Sequence, residues 1–434
     1  MKTLQIRWTI LLFLSIWSVP LSLAQRVLTL EDCVNTALQQ NLSLRSADVA
    51  VRSAELARDE ADRAGRPQVR ASAKALVAPY SGSIGYDPAI TDGGQYSAQL
   101  GVLGLLYDGG ARSLRARQLD ADLERGRIEK RRAARDVHAS VSAAFFDLLA
   151  STEQSALQRQ RIDELSRTLD LVERLYHGGG AGYTDVLKTQ VGLGNARVEL
   201  AKVTQTGLSA KLALAEAMGT PEDTAFAIAA SAALPDSTAA DSLLRLAAVD
   251  SNRSLDLQIA RLNIERSIFG VDAARAEQRP SVSLSGDVGL LTSGDNLKLP
   301  SGERAATVGY SVGLSIEHLL FDWGAAGLRV EQRQLESDQL RLSYELQRQT
   351  MRSALERLRA EIRSTVAQIG AIGKTLNIAE DNYALTKAQY AGGGTSALEV
   401  LSAEQLLADS RLAALQSRTD LLRLLSQLEQ YHAQ

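Results

Sequence analysis

Residues 176–187 read YHGGGAGYTDVL, and residues 390–401 read YAGGGTSALEVL. Both stretches place a tyrosine two residues before a run of three glycines, and both end in an acidic residue followed by Val-Leu. Glycine permits a tight reversal of the backbone, so each stretch predicts a turn between two long segments. The second copy begins 214 residues after the first (390 minus 176), which indicates that the chain is internally duplicated.

Two further landmarks recur at almost the same spacing. An Arg-Pro pair at residues 66–67 recurs at 279–280, and an aromatic-Asp motif at residues 107–109 (YDG) recurs at 321–324 (FDWG). Each half therefore predicts the same order: helix, Arg-Pro, strand, polar loop, strand, aromatic-Asp turn, very long helix, glycine-rich turn, helix. We expect a signal peptide over residues 1–24, a first repeat over 25–218, a linker over 219–240 and a second repeat over 241–434.

Two tracts predict unusually long helices. Residues 89–220 and 301–434 contain no proline. Within them, residues 111–177 and 325–390 are dense in Ala, Leu, Arg, Glu and Gln, which favour helix. At about 1.5 Å per residue, the first of these helices would span roughly 100 Å. A compact globule does not accommodate such helices, so we expect them to pack in the manner of coiled coils.

Four segments alternate apolar and polar residues, which is typical of strands with one apolar face. We expect these strands at about 68–80, 95–107, 281–290 and 306–321. The apolar face of the last one carries Val308, Tyr310, Val312, Leu314 and Ile316. The pattern fits transmembrane strands, and it fits half-buried strands of a soluble sheet equally well. Four strands cannot close around a pore, so the membrane interpretation requires several subunits to pool their strands.

The N-terminus predicts export, and the composition excludes several functions. Lys2 and Arg7 precede an apolar run that ends in small residues, which is typical of a secretory signal peptide cut before Gln25. With 48 Lys+Arg against 51 Asp+Glu, the chain lacks the basic excess of a nucleic-acid-binding protein. Cys33 is the only cysteine and is expected to be a small buried helix residue. The histidines, His138, His177, His318 and His432, lack metal-ligand spacing, so we predict no metal, cofactor or catalytic residue.

These landmarks, together with LTLEDCVNTALQQN at residues 28–41, identify a family. The whole chain after the signal peptide resembles the TolC-like outer membrane efflux proteins. The resemblance implies a mainly helical homotrimer whose protomers each contribute four strands to one twelve-stranded outer membrane β-barrel. Their long hairpins would form a tapered α-barrel through the periplasm. The implied function is passive export, with a periplasmic adaptor and an inner-membrane pump docked at the helical end and no reaction catalysed.

The resemblance also implies roles for individual residues. By motif position, Asp185, Tyr390 and Glu399 match side chains that narrow the periplasmic entrance and hold it shut. An acidic residue also suits the positive start of a helix, so helix capping is an open alternative for Asp185 and Glu399. Thr395 stands where some family members carry an arginine. The glycines at the hairpin tips, where an adaptor would dock, are Gly178, Gly179, Gly180, Gly392, Gly393 and Gly394.

Two other classes of protein stay open at this point. A soluble periplasmic coiled-coil scaffold or adaptor would share the signal peptide and the long helices. An adaptor, however, would usually place a compact β domain between the arms of one hairpin, whereas this chain duplicates the hairpin. An exported enzyme is a third alternative. The exported substrate and the pump family do not follow from the sequence, because the pump selects the substrate.

Overall fold

The computed structural model describes residues 26–77, 94–229, 254–293, 307–429 and 431. The predicted signal peptide, half of the predicted linker (residues 230–240), the end of the first predicted strand (78–80) and His432 lie outside these residues. The described chain forms, in order, β1 (Arg26–Leu28), α1 (Leu30–Gln40), α2 (Leu42–Ala64), β2 (Gln68–Val77), β3 (Gly94–Tyr107), α3 (Ala111–His177), α4 (Tyr183–Met218), β4 (Phe226–Ile228), α5 (Leu255–Ala276), β5 (Ser281–Ser293), β6 (Thr307–Glu317), α6 (Ala325–Ala391) and α7 (Ala397–Glu429).

The two longest helices, α3 and α6, each contain 67 residues and begin at an aspartate cap. Asp108 accepts hydrogen bonds from the backbone N–H groups of Gly110 at 3.1 Å and Arg112 at 2.9 Å. Asp322 accepts the two equivalent bonds at 3.1 and 2.6 Å. Each aspartate satisfies N–H groups that have no partner inside the helix. The aromatic-Asp motifs are therefore helix start signals, and both long helices occupy the tracts where they were predicted.

The four longer strands form one antiparallel sheet in the order β2-β3-β5-β6. All four lie at the predicted places, but β5 continues to Ser293 and β6 ends at Glu317 rather than near residue 321. Glu317 pairs with Ser281, the first residue of β5. Pro280 precedes Ser281 and has no N–H group, so the hydrogen-bonded ladder ends there.

A small second sheet pairs β1 and β4 in parallel, and α1 follows β1 directly. Thr29 and Asp32 begin α1 with reciprocal hydrogen bonds: the Thr29 N–H donates to Asp32 Oδ2 at 3.0 Å, and the Asp32 N–H donates to Thr29 Oγ1 at 3.2 Å. The next residue, Cys33, is fully buried, as predicted. Burial raises the pKa of its thiol to about 11, with a smaller contribution from the charge of Asp32.

The chain divides into two compact units, and each takes segments from both halves of the sequence. One unit comprises residues 1–40, 140–236 and 368–423, and the other comprises 41–139, 237–367 and 424–434. In the second unit, ion pairs connect α3 to α2 through Lys130 and Asp48 (2.6 Å) and α3 to α5 through Arg135 and Asp256 (3.1 Å). Of the helices in the described residues, none has the length and apolar composition that crossing a membrane requires.

Candidate functional site

The two long helices end in the same backbone turn. At the first hairpin, the Gly179 N–H donates to the Tyr176 carbonyl at 3.0 Å, and the Gly180 N–H donates to the Leu175 carbonyl at 2.7 Å. The second hairpin repeats this pair of bonds at 3.0 and 2.9 Å. Gly179 and Gly393 have φ angles of +78° and +76°. A side chain is costly at such angles, so the middle glycine of each triplet is the one that the turn requires.

The returning helices place an acidic residue at the same position of their first turn. Gly182 precedes α4 without a side-chain cap, whereas the Ser396 hydroxyl precedes α7 and accepts a bond from the Glu399 N–H at 3.4 Å. Asp185 and Glu399 each lie three residues after these cap positions. The positive start of each helix stabilises the charge of its acidic residue, but the residues at the cap positions are Gly182 and Ser396.

Tyr390 lies in the apolar core between the two hairpins of the first unit and is only 4% exposed. Residues of α3, α4, α6 and α7 surround it. Its hydroxyl is buried and has no hydrogen-bond partner among the described residues. The buried members of this core are Val172, Val186, Ala379, Tyr383, Tyr390, Ala397, Val400, Ala403 and Leu407.

Asp185 influences the Tyr390 hydroxyl electrostatically. The pKa of Tyr390 is raised, first by burial and then by the charge of Asp185. Asp185 is half-buried, and its backbone carbonyl accepts a hydrogen bond from the Thr189 hydroxyl at 2.8 Å. The fold thus brings together two residues that lie 205 positions apart (390 minus 185) and that the sequence resemblance associates with one entrance.

Glu399 and the tip glycines occupy different surroundings. Glu399 is exposed, and no ion pair or side-chain hydrogen bond joins it to Asp185 or Tyr390 among the described residues. The Thr395 hydroxyl, at the position of the family arginine, is buried without a partner among these residues. All six tip glycines are exposed as well.

The two repeat-related tyrosines differ in a way that the sequence does not indicate. Tyr176 is 40% exposed, and its ring contacts those of His177 and Tyr183, each with a centroid distance of 5.6 Å. Tyr390 occupies the equivalent position and is buried. The first hairpin tip therefore presents aromatic rings to solvent, whereas the second hairpin uses its tyrosine for packing.

Sequence reasoning missed a buried ion pair between α3 and α7. Glu404 is 3% exposed and accepts hydrogen bonds from Arg161 at 2.9 and 3.1 Å. A signal for it exists in the sequence. Val400, Ala403 and Leu407 are apolar and share one face of α7, and an acidic residue at position 404 interrupts that face.

Two helices of the second unit carry exposed apolar residues at intervals of seven. On α2 these are Leu42, Val49 and Leu56, which are 72%, 70% and 52% exposed. On α6 they are Leu328, Leu335 and Leu342, which are 67%, 64% and 73% exposed. A spacing of seven residues is typical of helices that pack against another helix as in a coiled coil. We call these sets the α2 row and the α6 row.

Among the strands that the structure describes, the four-stranded sheet has two open edges, β2 and β6. The apolar residues predicted for one face of β6 are all highly exposed. Their exposed fractions range from 63% for Leu314 to 86% for Tyr310. An edge strand with unpaired backbone groups and an apolar face needs to be covered in the mature protein.

A family model described as "Outer membrane efflux protein" matches residues 33–220 and 251–434. The chain belongs to the outer membrane efflux protein family. Protein CyaE of Bordetella pertussis is 26% identical over 328 residues, which cover 74% of this chain and 68% of CyaE. The outer-membrane channel OprN has the same fold, with a TM-score of 0.76, 21% identity and coverage of 93% of this chain and 89% of OprN. CusC gives a TM-score of 0.78 at 18% identity and covers 93% of this chain and 92% of CusC.

This outer membrane efflux protein is a duct for efflux, located in the outer membrane with its helical part in the periplasm. The family and the mainly helical fold predicted from the sequence are confirmed. A soluble periplasmic scaffold or adaptor, the predicted alternative, is not the function of this family. Within the described ranges, no group of three or more His, Cys, Asp or Glu residues is arranged to hold a metal ion.

Proposed function

We propose that three copies of this chain form a passive export duct. Each protomer would add its four strands to one twelve-stranded barrel in outer membrane lipid and its hairpins to a helical tube in the periplasm. A periplasmic adaptor and an inner-membrane pump would deliver the substrate, and the duct would catalyse no reaction. The observation that carries the proposal is the pair of exposed apolar rows on α2 and α6.

Both rows belong to the same unit, and no helix of the described residues covers either of them. Because two different surfaces need covering, a second copy can satisfy both by packing its α2 row against the α6 row of its neighbour. Such a head-to-tail contact generates a closed ring when the rotation between copies closes. Pairing of the β2 edge of one copy with the β6 edge of the next would follow from the same arrangement.

The mass of the detergent-extracted protein tests the assembly. We expect a trimer for the wild type and a shift towards monomers for Leu335→Glu, because the charge would be buried in the proposed contact. Gln334→Glu is the matched control, since its exposed side chain lies about 100° round α6 from Leu335. A trimer that survives Leu335→Glu as well as Gln334→Glu would refute the α6 contact.

We further propose that Asp185, Tyr390 and Glu399 form the entrance gate and that the two glycine triplets are the docking tips for the adaptor. The proximity of Asp185 to the buried Tyr390 hydroxyl supports the first part. The exposure of both triplets supports the second part. In a trimer, Glu399 would contribute three exposed carboxylates at one end, which would favour cations over anions.

Conductance in planar bilayers tests the gate. We expect small, cation-selective currents from the wild type, and we expect larger currents with weaker selectivity from the double variant Asp185→Ala/Glu399→Ala. Glu199→Ala is the matched control, because the side chain of Glu199 on α4 is 41% exposed and pairs with Lys202 on its own helix. Unchanged selectivity in the double variant would leave the duct intact and remove the gate assignment.

A further inference from the structure

Four charged side chains lie together between α3 and α7 in the first unit: Glu404 is buried, and the other three are half-buried. Arg161 of α3 donates to both carboxylate oxygens of Glu404 on α7, at 2.9 and 3.1 Å, and also to Gln405 Oε1 at 2.5 Å. Arg411 of α7 pairs in the opposite direction with Glu164 of α3 at 3.1 Å. We call Arg161, Glu164, Glu404 and Arg411 the charge cluster.

The charge cluster has no net charge, and its two ion pairs run in opposite directions between the helices. Each helix contributes one arginine and one glutamate, and both pairs within the cluster join α3 to α7; Arg411 also pairs with Glu380 of α6 at 3.6 Å. Glu404 is the most deeply buried member, and burial raises the pKa of its carboxyl group, an effect that Arg161 opposes and that Glu164 and Asp409 reinforce. Two charges in such surroundings persist only when their geometry and their additional hydrogen bonds are good, and removing one partner leaves the other charge stranded.

A small cavity borders the cluster and points to a bound water molecule. Its volume is about 20 Å³, and its lining includes Arg161, Glu404 and Gln158. Gln158 is 9% exposed, and its Oε1 atom is buried with no hydrogen-bond partner among the described residues. A cavity of this size accepts one water molecule when several polar groups converge on it. Here an amide oxygen, a carboxylate and a guanidinium group converge.

We propose that the charge cluster, completed by one water molecule that donates to Gln158 Oε1, is a lock that fastens the first hairpin to the second and opens when the entrance opens. The functional part rests on the proposed entrance gate. Apolar contacts between α3 and α7 weaken gradually as helices slide, whereas crossed ion pairs hold one register. The lock therefore gives the closed arrangement a defined register that a partner must break.

The experiment combines hydrogen exchange and conductance on the full-length detergent-extracted protein. Glu404→Gln keeps the side-chain size and removes the charge. We expect it to speed amide exchange in α3 and α7 around the cluster at least about tenfold and to raise the open fraction of the channel by a similar factor. Asp147→Asn is the matched control, because Asp147 and Arg423 also join α3 to α7 but are 53% and 37% exposed. We expect the control to change either quantity less than about fivefold.

A double variant that exchanges the two charges distinguishes loss of the ion pair from misfolding. Arg161→Glu combined with Glu404→Arg rebuilds the pair in reverse, so it should restore slow exchange and low conductance, which a mere packing role would not predict. Equal exchange in Glu404→Gln and Asp147→Asn would overturn the lock. A map of the trimer that resolves ordered water but has no density beside Gln158 Oε1 would overturn the hydrated form. If no variant conducts, the proposed gate fails, and exchange alone still decides on the lock.

Discussion

Replacing Tyr390 with phenylalanine removes one buried hydroxyl and leaves the ring in its apolar core. The hydroxyl has no hydrogen-bond partner among the described residues, and Tyr390 is 4% exposed. An unsatisfied buried polar group costs about 1–3 kcal/mol. In the proposed gate, opening exposes this hydroxyl to water and relieves that cost. Tyr390→Phe should therefore stabilise the closed arrangement by about 1–3 kcal/mol, which lowers the open fraction by about 5- to 150-fold.

Single-channel recording in planar bilayers measures the open fraction, and thermal unfolding of the same sample measures stability. Tyr176→Phe is the matched control, because Tyr176 holds the equivalent position of the first repeat and is 40% exposed. We expect the control to leave both quantities unchanged. A Tyr390→Phe protein that conducts more than the wild type, or that unfolds at a lower temperature, would refute the reasoning, since either result requires a favourable bond to the hydroxyl.

Three further outcomes follow from the structure. Gly179→Ala should destabilise the first hairpin by about 1–2 kcal/mol in thermal unfolding, because the φ angle of Gly179 is +78°. Gly178→Ala should have little effect, because the added carbon would meet only ordinary contacts at 3.5 Å and beyond. Asp108→Ala should lower stability by about 0.5–2 kcal/mol through loss of the α3 cap, and Asp108→Asn should recover most of it. Cys33 should resist alkylation in the folded protein at pH 8 and react after unfolding, and rapid alkylation of the folded protein would contradict its burial. The pKa of the thiol is about 11 in the folded protein and 9.0 when it is free, so its contribution to stability should fall as pH rises between these values.

Part of the candidate site could be predicted and part could not. The resemblance associated Asp185 with Tyr390, and in the fold the charge of Asp185 contributes to raising the pKa of Tyr390. It gave no reason to expect that Tyr390 would be buried while its repeat mate Tyr176 is exposed. The Arg161–Glu404 pair was missed, since neither residue belongs to a motif and the two lie 243 positions apart (404 minus 161). The gate role of Asp185, Tyr390 and Glu399 stays a proposal.

The sequence by itself determined the features that depend on neighbouring residues. The two long helices lie in proline-free tracts, start at Asp108 and Asp322 and end at glycine turns, and every one of these interactions spans about five residues or fewer. Tertiary structure decided the rest. Whether β6 stops at Glu317 depends on Pro280 across the sheet, and whether Glu404 is solvated or buried depends on the helix that packs against it. Burial and pairing are properties of segments that meet in space, and a repeated motif does not encode which of its two copies will face the core.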